Sequence, residues 1–347
     1  MKLAVILFNL GGPDSPEAVE PFLRNLFSDP AIISLPWIVR SPLGRLIARR
    51  RAPVAREIYD QIGGRSPIFE ETRRQADALA AALNDSGTDA KCFIAMRYWH
   101  PFSDGAAQAV KGFNPDKIVL LPLYPQFSTT TTASSLKDWA RAAKRAKIAA
   151  PTTSICCYPD EAGFVDAAAA HIAATMRNPG DGGYRLLLSA HGLPKRTIAG
   201  GDPYQWQVER SAAAIVEKLA MPELEPVVCY QSRVGPLEWI GPSTDTEIRR
   251  AGADGKSVVV FPIAFTSEHS ETLVELDIEY AKLAQESGVK DYRRVPAVGA
   301  EPQFIGGLAK LVRQAMTSQQ AGTDITNSAG ARICPQEFCR CAMETKR

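Results

Sequence analysis

The chain has 347 residues, more than one small core needs and enough for two medium-sized domains. Its 40 basic and 38 acidic residues leave a formal charge of +2, with no excess of the kind that marks a nucleic-acid-binding surface. No apolar run reaches the roughly 20 residues that cross a bilayer, so any membrane contact is expected to be peripheral.

In chain order, LAVILF (3–8) reads as a first strand. Its apolar run is too short for a secretory leader and no small-residue cleavage site follows, so a cytoplasmic chain is expected. Residues 31–51, AIISLPWIVRSPLGRLIARRR, join a Trp-containing apolar stretch to Arg40, Arg45, Arg49, Arg50 and Arg51. This pattern suits a membrane surface; it equally suits a core helix with a solvated arginine end. Further apolar runs, KIVLLPL (117–123), RLLLSA (185–190) and SVVVFPI (257–263), alternate with Ala-rich amphipathic stretches. Continuous apolar strands separated by helices predict parallel sheets covered on both faces, an α/β fold.

An internal repeat refines this. VLLPLYPQFSTTTTASSL (119–136) aligns with VVFPIAFTSEHSETLVEL (259–276), FNLGGP (8–13) with SAHGLP (189–194), and AMRYWHP (95–101) with YQSRVGP (230–236). The matches predict two similar halves, with domains at 1–155 and 156–318 and an appended tail at 319–347. Ligands of open α/β sheets bind beyond the carboxyl ends of the strands, so the matched segments are expected to face a cleft between the halves.

Chemistry-bearing residues gather at two of those strand ends. RLLLSAHGLP delivers His191 from a buried strand into a turn, where it is either a base or a loop histidine bonded to a neighbouring carbonyl. FTSEHSETLVELDIEY (265–280) stacks Glu271, Glu275 and Glu279 at helical spacing, although like charges four residues apart cost a helix a few tenths of a kcal/mol, about 0.2–0.5. Glu268 is expected in the first helical turn, where the helix dipole favours it.

These segments, together with NLGGP (9–13), IGGRSPI (62–68), RYWHP (97–101), LYPQFS (123–128) and QSRVGPLEWIGP (231–242), resemble the ferrochelatase family. The resemblance implies two Rossmann-like, chelatase-type halves, each a parallel sheet flanked by helices, with the active-site cleft between them. It implies insertion of Fe²⁺ into protoporphyrin IX to give protoheme. A coproporphyrin ferrochelatase is the alternative, and a non-catalytic tetrapyrrole or iron-binding protein a further one.

The chemistry asks for a base and an acidic path, because two pyrrole protons leave while a hydrated cation arrives. A neutral imidazole accepts a proton or ligates a metal near neutral pH, and carboxylates bind a hydrated cation weakly. The resemblance implies His191 and Glu271 as the central pair, contacting the substrate iron, with Glu275 as a relay. Arg97 and Tyr98 are implied opposite them, and His269 nearby. A flat, apolar, propionate-edged ring calls for apolar walls and a few cations; Leu10, Tyr124, Trp239 and Phe265 are the candidate walls and Arg97 the candidate cation. The region 31–51 is implied to be the lip of the porphyrin site, which favours a peripheral membrane contact on the inner face of the cytoplasmic membrane. Family members with such tails often pair as homodimers.

Three of the seven cysteines, Cys334, Cys339 and Cys341, fall in CPQEFCRC near the end of the chain. In a cytoplasmic chain they point to a metal site and not to disulfides. A fourth thiolate must come from elsewhere, and ligand count alone leaves iron–sulfur and zinc open. The family resemblance implies a 2Fe-2S cluster. The remote ligand used by some relatives falls at Thr129 here, so Cys157 (or Cys156) is the expected substitute. Cys92 and Cys229, inside apolar runs, are expected to be small core side chains.

Overall fold

The computed structural model describes residues 1–84, 87–176, 183–233, 237–317 and 324–344. The chain forms two compact units. Unit 1 comprises Met1–Tyr124, Ser128–Cys156 and Leu311–Thr326; unit 2 comprises Pro125–Phe127, Cys157–Lys310 and Asn327–Arg347.

Unit 1 runs β1 (Lys2–Asn9), α1 (Val19–Phe27), α2 (Trp37–Asp60), α3 (Ile68–Asn84), β2 (Asp89–Met96), α4 (Ser103–Phe113), β3 (Lys117–Pro122), α5 (Thr132–Ala146) and β4 (Thr152–Ile155). A late two-residue strand, β9 (Ile325–Thr326), joins the edge, and the parallel sheet has the order β2-β1-β3-β4-β9. Leu3 to Leu7 of β1 are wholly buried, as a central parallel strand covered on both faces must be. Ile6, Phe8 and Leu120 of the sheet pack with Val110 of α4 and Trp139 of α5.

Unit 2 contains α6 (Ala162–Thr175), β5 (Tyr184–His191), α7 (Lys195–Ala199), α8 (Tyr204–Leu219), β6 (Glu225–Gln231), α9 (Thr244–Ala253) and β7 (Ser257–Pro262). A π-helix (Glu271–Glu279), α10 (Tyr280–Glu286) and β8 (Tyr292–Arg294) follow, and α11 (Pro302–Thr317) begins in this unit. Its parallel sheet has the order β6-β5-β7-β8. Leu187, Val258 and Val260 of the sheet pack with Ile248 of α9 and Leu276 of the π-helix.

The two sheets share one strand order, β2-β1-β3-β4 and β6-β5-β7-β8, so the internal repeat is structural. Its matched segments follow β1 and β5, β2 and β6, and β3 and β7. The last three residues of YQSRVGP, 234–236, lie outside the described residues, as does the 318/319 boundary. The tail is divided: 324–326 complete the sheet of unit 1 through Ser154 and Ile155, while 327–344 belong with unit 2.

Residues 37–60 form one helix whose inward face is made of small residues. Gly44, Ala48 and Ala52 lie against α1, and a Cβ on Gly44 would come within 2.9 Å of the Phe27 carbonyl oxygen. The large apolar residues point outward: Trp37 is 70% and Ile38 73% exposed. The core-helix reading of this stretch therefore fails for its apolar end.

Candidate active site

The parallel ladder of unit 2 fixes the first pair of groups. His191 is the last residue of β5, in register with Gln231, the last residue of β6. Beyond β7 the chain returns through a loop into the π-helix, whose first residue is Glu271. Its Oε2 lies 2.8 Å from Nδ1 of His191. The sequence predicts an ordinary α-helix here; the wider π turn is a form that concentrates at functional sites. Five residues on from Glu275, Tyr280 donates its hydroxyl to Glu275 Oε1 at 3.0 Å, a reach that suits π and not α spacing. Glu279 is exposed.

Glu275 is held from several sides. The Ser232 amide donates to its Oε1 at 2.8 Å, and Gln231 Nε2 donates to its Oε2 and to the Glu271 carbonyl, both at 3.1 Å. Ser189 Oγ donates to Gln231 Oε1 at 2.8 Å, which fixes the orientation of that amide. The Ser232 hydroxyl reaches Glu275 Oε2 and also Glu271 Oε2, the latter at 3.3 Å. Ser232 adopts a left-handed backbone conformation, φ 60°, which costs a non-glycine residue about 1–2 kcal/mol. On the far side of His191, Tyr204 of α8 donates its hydroxyl to the His191 carbonyl at 3.1 Å.

Charge follows from this geometry. Burial alone would depress the His191 pKa, but the Glu271 carboxylate, aided by Glu275, raises it above the ordinary imidazole value. Burial alone would raise Glu271, but the His191 and His269 charges and the Ser232 hydroxyl hold it down at about 2. Glu275 moves up, first through burial and then through the neighbouring Glu271 charge. The environments push two carboxyls one helical turn apart in opposite directions, the pattern that separates a counter-ion from a proton holder.

His269 is buried, its ring 4.5 Å from that of Phe265, and neither ring nitrogen has a hydrogen-bond partner among the described residues. Burial lowers its pKa, against the raising influence of the Glu271 and Glu268 charges. Trp239 lies close to Gly192, next to His191, where a Cβ would meet its ring at 3.4 Å. Glu268 is not in a helical turn: its Oε1 binds Arg294 at 2.5 Å and the Ala297 amide at 2.9 Å.

A second polar group lies within unit 1. Asp29, buried after α1, accepts from the Tyr98 hydroxyl at 2.9 Å and pairs with Arg97 at 2.7 Å; Arg97 also donates to Ser134 at 2.7 Å. Tyr98 is 1% exposed, so its hydroxyl serves Asp29 and not an open surface. Tyr124, expected as a pocket wall, is buried in the core of unit 1 with Trp139. Leu10 is half-buried against the same core.

Two cysteines of unit 2 converge on one buried amide. Gln207 Nε2 of α8 lies 3.5 Å from Cys157 Sγ and 3.2 Å from Cys334 Sγ, while its Oε1 accepts the Phe127 amide at 2.7 Å. Cys334 and Cys341 share a hydrogen bond that lowers Cys341 to about 6 and raises Cys334. Cys339 is exposed and packs on Gly201, φ 91°, where a Cβ would come within 2.5 Å of its sulfur. Among the described residues, no three His, Cys, Asp or Glu side chains are set around a single metal ion. Gln207 thus touches Cys157 and Cys334, and Gly201 leaves room for the Cys339 sulfur. Cys156 lies in unit 1, its amide bonded to the Thr326 carbonyl. Cys229 is buried in β6, and Cys92 half-buried in β2.

Ser232, Gln231, Tyr280, Asp29 and Gln207 were not singled out from the sequence. Ser232 and Gln231 lie in the QSRVGP block, whose turn at a strand end was the available signal; the others carry no local one.

Against known proteins, the family model described as Ferrochelatase matches residues 2–316. A ferrochelatase of Caulobacter vibrioides is 54% identical over 98% of this chain and 97% of its own length. One of Phenylobacterium zucineum is 54% identical over 99% and 98%, and one of Pelagibacter ubique 51% identical over 90% and 91%. Among solved structures, the sirohydrochlorin chelatase SirB of Bacillus subtilis subspecies spizizenii, in complex with cobalt, covers 90% of this chain and 95% of its own at 13% identity, with a TM-score of 0.53, a likeness of fold. With a family model spanning nearly its whole length and relatives sharing half of its residues, the chain belongs to the ferrochelatase family.

Proposed function

We propose that this chain inserts Fe²⁺ into protoporphyrin IX to give protoheme, with His191 taking pyrrole protons and Glu271 and Glu275 forming the path by which they leave. The observation that carries these roles is the contact of His191 Nδ1 with Glu271 Oε2 at 2.8 Å at the carboxyl end of β5. Since Nδ1 is committed to Glu271, Nε2 is left to face a pyrrole nitrogen. A neutral imidazole accepts the proton there, and the Glu271 carboxylate stabilises the imidazolium that results. Two protons leave the ring for each Fe²⁺ that enters, and no electron is transferred. Glu275, with its raised pKa, is the better resting place for a departing proton.

Trp239 and Phe265 serve as ring walls near His191, and His269, a buried imidazole with no hydrogen-bond partner among the described residues, as a further contact for the incoming ion. Within unit 1, Leu10 and Arg97 are proposed as porphyrin contacts, and Tyr98 acts through Asp29 as a support for Arg97. The relatives' shared name favours iron-chelatase chemistry over a carrier. Anaerobic mixing of the purified protein with Fe²⁺ and protoporphyrin, followed by absorption, tests the reading. Turnover lost in His191→Ala supports it; turnover kept in that variant, or absent from the wild type, overturns it.

Cys157, Cys334, Cys339 and Cys341 are the proposed ligands of a 2Fe-2S cluster. When bound, the cluster supplies iron–sulfur bonds that fix residues 327–344 to unit 2, and Gln207 donates toward two of the sulfurs. The exposed Trp37 and Ile38 beside the α2 arginines support a peripheral contact with the inner face of the cytoplasmic membrane. No helix among the described residues is long and apolar enough to cross one. A homodimer completes the reading, and light-scattering mass checks it.

A further inference from the structure

Ser232 lies between the two carboxylates. Its hydroxyl reaches Oε2 of Glu275 and, at 3.3 Å, Oε2 of Glu271, and that second oxygen is the one bonded to His191 Nδ1. A hydroxyl owns one proton, and two ionised carboxylates only accept. The bridge is therefore satisfied on both sides when one carboxyl is protonated and donates to Oγ while Oγ donates to the other. The surroundings hold the hydroxyl in place, since the Ser232 amide is bonded to Glu275 Oε1 and the backbone is kept at φ 60°.

We propose that Ser232 is the proton relay between Glu271 and Glu275, a residue of the reaction additional to the histidine and the two glutamates. The inference rests on the proton path proposed above. With Glu275 ionised, a proton passing from His191 Nδ1 to Glu271 Oε2 is handed to Ser232 Oγ as that oxygen releases its own proton to the Glu275 Oε2 carboxylate oxygen. The serine ends neutral, one O–H bond is formed for each one broken, and the proton lost by the ring appears on Glu275. Tyr280, donating to the other oxygen of Glu275, keeps that carboxyl turned toward Ser232.

Ser232→Gly removes the hydroxyl, retains the amide bond to Glu275 and adopts positive φ readily, so the fold is preserved. Ser232→Asn also tolerates this backbone conformation and offers a donor, but no hydroxyl that both gives and takes a proton. With protoporphyrin and Fe²⁺, both variants are expected to lose about tenfold or more in kcat, within the ordinary range for proton-transfer groups. The porphyrin KM should stay within twofold, and the solvent deuterium isotope effect on kcat should rise. An unchanged kcat, a raised KM at constant kcat, an unchanged isotope effect, or full rescue by Asn overturns the relay. A wild type whose activity survives His191→Ala instead removes the underlying proton path, a result distinct from any obtained at Ser232.

Discussion

His191 and Glu271 stand eighty positions apart in sequence and meet at 2.8 Å, Nδ1 to Oε2, because parallel strands β5 and β7 end at the same edge of one sheet. The pair determines the local titration. With the His191 pKa raised, its share of stability is fully present below about pH 6.5, the unfolded value, and is lost as pH rises through the folded one. Glu271 works in the opposite sense: its share is present above about pH 4.3 and is lost as pH falls toward about 2. NMR titration of the His191 ring should give a pKa above 6.5 in the wild type and a lower one in Glu271→Gln. Glu275→Gln, which removes a weaker influence, should move it less. Since His191 acts as a base only when neutral, the acid limb of kcat/KM should track the same raised value. A His191 pKa indifferent to Glu271→Gln would disprove the coupling.

The buried carboxylate of Asp29 organises unit 1 as Glu271 does unit 2. It receives the Tyr98 hydroxyl and the Arg97 guanidinium, and the Ser134 hydroxyl besides. Asp29→Ala leaves a cation and a buried hydroxyl without their acceptor, a loss worth about 3–5 kcal/mol for a buried pair broken on one side. Asp29→Asn keeps one acceptor and should cost less. Urea unfolding of the two variants measures the order; equal stabilities would mean that the Arg97 and Tyr98 bonds contribute nothing net.

Much of this was legible in the sequence, and the reason is periodicity. LAVILF, RLLLSA and SVVVFPI are continuous apolar runs because both faces of a central parallel strand are covered. The turn after each run marks a strand end, so His191 was visible as an aimed side chain. Other features have no local signature. Nine residues are too few for a hydrophobic pattern to separate a π turn from an α turn, so Tyr280 was not linked to Glu275. Ser232 reaches its place through a left-handed backbone that its surroundings impose, and β9 joins its sheet through only two residues, Ile325 and Thr326.

The two adjacent cysteines have different surroundings. Successive residues leaving a strand point to opposite sides, and here Cys157 approaches Gln207 Nε2 together with Cys334 in unit 2, whereas Cys156 belongs to unit 1. In protein purified without oxygen, Cys157→Ser and Cys334→Ser should each abolish the visible absorption of an iron–sulfur centre and its acid-labile sulfide. Cys156→Ser should retain both. The reverse pattern at 156 and 157 would reassign the ligand. Gln207→Leu, which removes the amide donor but no thiol, should keep the iron content and lower the reduction potential, as loss of hydrogen bonds to sulfur does.

The exposed end of α2 makes a prediction about where the protein resides. Burying one large apolar side chain is worth about 1.5–3 kcal/mol, so Trp37 and Ile38 together supply enough for a partition ratio of about a hundredfold or more. Arg45, Arg49, Arg50 and Arg51 are exposed on the same helix, and each adds about 1 kcal/mol near an anionic surface. Arg40 is already engaged by the carbonyls of Ser28 and Leu35, so it adds little. Trp37→Ser with Ile38→Ser should cut binding to vesicles of anionic lipid about a hundredfold at any ionic strength. Replacing the four exposed arginines by Gln should weaken binding mainly at low salt, where charge is least screened. Turnover with detergent-solubilised porphyrin should change little in either variant. Wild-type protein that ignores such vesicles at low salt would show that this apolar face serves something other than a membrane.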